Sequence, residues 1–173
     1  MLNKMLTSYR NKQPIQKMGF PVKLKEIIEA VEFQSDEISA YLNKETGEIV
    51  TIPEEEFDAV EDQNPLENYP EWQQDNIKIA REILDNEESF LNLPTKHDIH
   101  EYQIMKEFCF SIKDREISEP LYRAIKSKGA FRRFKEGIQR FGVADEWYKY
   151  REEAIKRIVI DWCKSNHIEF EEE

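Results

Sequence analysis

Along most of this chain apolar residues return every three or four positions; in one stretch they alternate. From Val22 the run KLKEIIEAVEF places Leu24, Ile27, Ile28 and Val31 on one helical face. Residues 1–20 before it show no period, contain Pro14 and Gly19, and read as an N-terminal tail. The alternating stretch is ISAYLNKETGEIVTI. Its strand-forming runs, 38–43 and 48–52, flank Lys44, Glu45, Thr46 and Gly47, which predicts a β-hairpin closed by a positive φ at Gly47. Pro53 and the acids Glu54, Glu55 and Glu56 then suit the start of a short helix ending before Asn64 and Pro65.

Helical spacing resumes over 69–86, with Trp72, Ile79, Ala80, Ile83 and Leu84 as its inward face. SFLNLP reads as an extended segment able to join the hairpin. Thr95 is placed to cap a helix reaching about Ile112, with Met105, Phe108, Cys109 and Ile112 inward. Ile117, Leu121 and Ile125 mark another helix, and a basic one occupies 128–141. The last runs over about 144–166. Its stripe of Trp147, Tyr150, Ala154, Ile155, Ile158, Val159 and Trp162 is too broad for a surface helix and predicts a central one. The fold class expected is α+β and mainly helical, about six helices around one core with a small N-terminal β-hairpin. The domain expected spans 21–173.

Composition narrows the class. Thirty-six acids against 25 lysines and arginines give a formal charge of −11, and five glycines leave little room for phosphate loops or nucleophile elbows. No apolar run approaches the roughly 18 residues of a membrane span, and the first residues lack the core of a secretory signal. Cys109 and Cys163 fall in apolar helical positions, as inert reduced thiols do. A cytoplasmic protein is expected, with no cofactor and no membrane partner.

The charge is unevenly spread. Residues 26–62 hold 13 acids and one base, whereas 126–140 hold six bases and one acid, Glu136. In KGAFRRFKEGIQRFG, at about 100° per residue, Phe131, Phe134, Ile138 and Phe141 share a sector of about 80°. Arg132, Arg133, Lys135 and Arg140 lie opposite, and Lys128 and Gly129 precede the helix. Aromatics on the buried side do not make a base-stacking platform of the kind single-strand binders use. Arginine forks do fit phosphate or carboxylate, and amides freed by Gly129 welcome an anion. Two readings follow: the cations pair with the chain's own acids, such as those of 26–62, or Lys128, Arg132, Arg133, Lys135 and Arg140 meet an anionic partner, nucleic acid or an acidic protein surface.

HDIHE offers different chemistry. On an unbroken helix His97, His100 and Glu101 stand at i, i+3 and i+4, and two histidines with a carboxylate form a known kind of zinc or iron site. The order differs from His-Glu-x-x-His, and no outside ligand is evident. A histidine packed at a helix start is the plainer reading.

AYLNKETGEIV, LPTKHDIHEYQIMKEF and KGAFRRFKEGIQRFG together resemble a bacterial family, Uncharacterised Protein Family 0158. The resemblance runs from about residue 21 to residue 165, and GAFRRFK followed by DEWYKYREEA is its most specific part. It implies a bacterial, cytosolic protein of about this length and carries over no catalytic residues. The functional expectation is a non-enzymatic binding or regulatory module that presents its basic helix to an anionic partner. The alternatives are a metal-dependent enzyme using His97, His100 and Glu101, and a protein-binding domain using the hairpin edge.

Overall fold

Period-two alternation in ISAYLN lets one strand face two different cores. The computed structural model describes residues 21–62 and 64–172, and the tail expected over 1–20 lies outside them. In chain order the elements are β1 (Val22–Lys23), α1 (Leu24–Phe33), β2 (Ile38–Asn43), β3 (Ile49–Pro53), α2 (Glu54–Glu61), α3 (Glu71–Asp85), β4 (Phe90–Asn92), α4 (Lys96–Ile99), α5 (Glu101–Ser111), α6 (Arg115–Ile125), α7 (Ala130–Arg140), α8 (Ala144–Ser165) and β5 (Phe170–Glu171). The expected class holds: the fold is mainly helical α+β with an N-terminal hairpin.

The hairpin closes as its turn residues dictate. Asn43 Oδ1 accepts from the amides of Glu45 at 2.8 Å and Thr46 at 3.2 Å, and Gly47 takes φ +76°. β4 adds antiparallel to the other side of β2, Leu91 opposite Leu42, so the sheet order is β3-β2-β4. Ala40 and Leu42 point to the main core, shared with α1, α5, α7 and α8. Tyr41 points the other way, to a smaller core of Ile52, Ala80, Ile83 and Phe90 beneath α2 and α3.

α8 is central, as its stripe predicts. Trp147, Ala154, Ile155, Val159 and Cys163 are buried along it. Phe108 of α5, Phe134 of α7 and Trp147 and Tyr150 of α8 meet edge to face, with centroids 4.7–6.1 Å apart. This geometry is worth about 0.5–1.5 kcal/mol per pair beyond area burial. Arg151 ties three helices together, donating from Nε to Glu101 Oε1 at 2.9 Å and from a terminal nitrogen to Glu32 Oε1 at 2.5 Å.

Four details depart from the sequence reading. α3 buries Ile77 with Ala80 and Ile83, while Trp72 is 69% exposed and Leu84 is also exposed: the small core takes Ala80 and Ile83 and reaches neither Trp72 in the first turn nor Leu84 in the last. Phe131 is half exposed, since it stands at the start of α7 on the edge of the packed face. β1 and β5 pair in parallel, Val22 opposite Phe170, a contact that two-residue strands give no pattern for. The helix expected from Thr95 to Ile112 is two helices, α4 and α5, broken by His100 in the left-handed region at φ 48°, ψ 54°.

Glu56 of α2 is an oddity. It is fully buried and neither carboxylate oxygen has a hydrogen-bond partner among the described residues. At the third position of α2 it would reach back to the cap amide, but the cap is Pro53, which has none.

Candidate anion-binding groove

α6 and α7 form an antiparallel-style pair joined by Lys126, Ser127, Lys128 and Gly129, and small residues let them approach closely. Gly137 of α7 is buried against Leu121 of α6: a Cβ there would stand 2.5 Å from Leu121 Cδ2. Pro120 and Ala124 face the same seam. Pro120 sits inside α6 beyond its first turn, and Asp114 caps that helix by accepting from the Glu116 amide at 2.8 Å. Where the small residues thin the wall, a groove of about 640 Å³ opens to solvent, lined by Arg123, Ser127, Arg133, Glu136, Arg140 and Phe141 beside the seam.

Three arginines thus converge from two helices. Arg133 is held in place: its guanidinium donates to Ser127 Oγ at 3.0 Å, and that hydroxyl donates to the Ala124 carbonyl at 2.7 Å. Arg140 lies over the Phe141 ring, 4.6 Å from its centroid, which rests the fork on an apolar support. Among the described residues no acid lies within ion-pair distance of Arg123, Arg133 or Arg140. The one carboxylate in the groove, Glu136, is drawn to Arg132 at 3.7 Å on the exposed side of α7. Such an exposed pair is worth about 0.5 kcal/mol or less.

The five expected anion-binding residues therefore divide. Arg133 and Arg140 line the groove; Arg132 turns away to Glu136, and Lys128 and Lys135 are exposed beside α7 without lining it. Pairing with the acids of 26–62 does not occur among the described residues; Glu32 is taken instead by Arg151. Gly129 caps α7 at φ +78° with no side chain bonded to the first amides. Arg123 and Ser127 escaped the sequence reading. The signal for them was the small-residue spacing Pro120, Ala124 and Gly137, which marks a helix seam whose rim residues face each other.

HDIHE is arranged differently from the helical expectation. His97, His100 and Glu101 do line one cleft, of about 770 Å³, with Tyr102, Phe131 and Arg151. The break at His100 removes the i, i+4 relation, and Glu101 Oε1 is already occupied by Arg151. Among the described residues no three histidines, cysteines or carboxylates gather as a metal site would need. Cys109 and Cys163 are buried, and burial pushes both thiols up to about 11.

The comparisons with known proteins follow the same stretch of chain. The pattern of the Uncharacterised protein family UPF0158 matches residues 19–173. The chain belongs to that family. A UPF0158 protein of Pseudomonas aeruginosa is 23% identical over 137 residues, covering 76% of this chain and 75% of that protein. No solved structure matches. The family's span takes in the whole α6–α7 groove, and no helix among the described residues is long and apolar enough to cross a membrane.

Proposed function

We propose that this UPF0158 protein is a non-enzymatic binding module of the bacterial cytoplasm that grips a nucleic-acid phosphate backbone in the α6–α7 groove. One observation carries the reading: Arg123, Arg133 and Arg140 share a concave surface without an acid on any of them, in a chain with 36 acids. Arg115, Arg132 and Arg151 each find a carboxylate, and the unpaired Arg81 and Arg157 stand on separate helices, so three unpaired arginines come together only in this groove among the described residues. Converging guanidinium groups repel one another, and an arriving polyanion removes that cost while releasing its own counterions. Planar forks match phosphate oxygens two at a time, and anchorage by Ser127 and Phe141 lowers the entropy lost on binding.

The net charge of −11 shapes the interaction. Acid-rich α1–α3 repel a polyanion, so association is confined to one face and one set of orientations. Lys126, Lys128 and Lys135 widen the positive field without entering the groove.

The test is binding of single- and double-stranded nucleic acid, titrated against salt, for the natural protein and for the Arg133→Glu, Arg140→Glu double variant. Each lost phosphate contact lowers the slope of log affinity against log salt by about 1. The double variant is expected to lose affinity and about two units of slope with its helix content unchanged. Equal binding by both proteins would remove the groove from the functional account.

A further inference from the structure

A second surface adjoins the groove around the circumference of α6. On that helix Arg123 faces the groove, and Tyr122 and Lys126, four residues apart, form the neighbouring stripe. Lys126 Nζ lies 4.0 Å from the centroid of the Tyr122 ring. Phe110 of α5 meets the same ring, with centroids 4.8 Å apart and planes tilted by 46°. Phe110 is 62% exposed. Tyr122 is its ring partner among the described residues, and the rest of the ring meets solvent.

Other aromatic residues are exposed, but in different company. Phe33 and Trp72 stand on α1 and α3, in the acid-rich part of the chain. Phe110 has Lys106 and Glu107 one turn before it on α5, Lys126 reaches the Tyr122 ring that Phe110 meets, and about one helix diameter of α6, roughly 10 Å, separates the stack from the groove. A flat, exposed apolar ring one helix away from forks suited to phosphate is the pairing that unpaired bases require. Of the aromatics in and beside α7, Phe134 is buried, Phe141 lies beneath Arg140, and the half-exposed Phe131 lines the separate cleft with His97 and Glu101. The ring comes from α5 instead.

We infer that Phe110, packed against Tyr122, is a base-stacking platform, and that the ligand class of the groove is single-stranded nucleic acid. This rests on the groove reading and narrows it. A duplex keeps its bases stacked inside and offers Phe110 nothing; a single strand lays its phosphates along Arg123, Arg133 and Arg140 and an unpaired base on Phe110.

The deciding experiment uses the full chain and three probes of equal length, about 16 nucleotides: oligothymidylate, an abasic strand carrying the same charge, and a duplex. The natural protein should prefer oligothymidylate to both. Phe110→Ala should weaken oligothymidylate binding at least about fivefold, the lower end of what one stacked base contributes, and leave the other two probes unchanged. Phe110→Trp should restore the preference, and equal melting temperatures for all three proteins would exclude a folding effect. Equal affinity for oligothymidylate and the abasic strand, tighter binding of the duplex, or indifference to Phe110→Ala overturns the stacking platform. The groove reading survives those outcomes if Arg133→Glu with Arg140→Glu still weakens every probe. If the double variant binds as the natural protein does, or no probe binds at all, the groove fails and the platform with it.

Discussion

Gly137 and Leu121 touch so closely that one added methyl group would overlap, its carbon 2.5 Å from Leu121 Cδ2. Leu121 is fully buried, so its side chain has nowhere to swing. In an isolated helix Gly137→Ala would gain about 1 kcal/mol from propensity. Here overpacking costs about 1–3 kcal/mol, and the balance falls toward destabilisation by about 1 kcal/mol. For a chain of this size that lowers the melting temperature by about 2–4 °C. The same change spreads α6 from α7, so polyanion affinity should fall with it. A more stable alanine variant would show that the seam yields.

Charge reversal should discriminate between arginines on the two helices. Arg132→Glu removes a cation that already turns away from the groove, whereas Arg123→Glu removes one that lines it from the other helix. Arg123→Glu is expected to weaken polyanion binding more than Arg132→Glu, with both proteins within about 0.5 kcal/mol of natural stability or slightly beyond it. Salt titrations of the two variants measure the difference. The reverse order of effects would place the anion on the outer face of α7.

Asp98 gives α4 a pH-dependent start. Its Oδ2 accepts from the Thr95 amide at 2.8 Å and the Thr95 hydroxyl at 2.7 Å, and these bonds hold its carboxyl below the usual range. A depressed native value adds stability above the unfolded carboxylate pKa, and this is lost as pH falls through the native value. Asp98→Asn should therefore cost about 1 kcal/mol near neutrality, typical of a lost cap, and nothing once acid has protonated the natural residue. Denaturant midpoints of both proteins across the acid range test the convergence.

The buried, unpartnered Glu56 makes a prediction of the opposite sign. Replacing a desolvated carboxylate by an apolar group of similar length removes its burial cost, so Glu56→Met should stabilise the fold by about 1–3 kcal/mol. Urea unfolding reads this directly. A loss of stability would mean that the carboxylate has a partner in solution.

Cys109 and Cys163, with thiols pushed up to about 11, carry almost no thiolate at neutral pH. Both should label with a thiol reagent only at the rate of global unfolding, and at once in denaturant. Fast labelling of either in the folded protein would contradict its burial.

Where local chemistry determined structure, the sequence was readable. Asn43 and Gly47 set the hairpin, and the breadth of the Trp147-to-Trp162 stripe placed α8 at the centre. It was less readable where packing chose between options of similar local cost. His100 carries no glycine or proline to announce a left-handed residue, so Thr95 to Ile112 reads as one helix. α3 offers overlapping apolar faces, and only tertiary packing picks Ile77 over Trp72. The groove falls between these cases. The wheel of α7 alone put Arg133 and Arg140 on a polar face, but Arg123 and Phe110 join them only once α5, α6 and α7 are laid side by side.

The parallel pairing of β1 with β5 has a consequence for how the chain is made. Val22 donates to the Glu169 carbonyl at 3.0 Å, and Lys156 grips Glu172 at 2.6 Å. During vectorial synthesis every other described element leaves the ribosome before β5, so β1 waits without its strand partner while the helices assemble. Amide exchange measured on stalled nascent chains would show Val22 unprotected until Phe170 has emerged. The first strand to appear is thus the last to be stitched in.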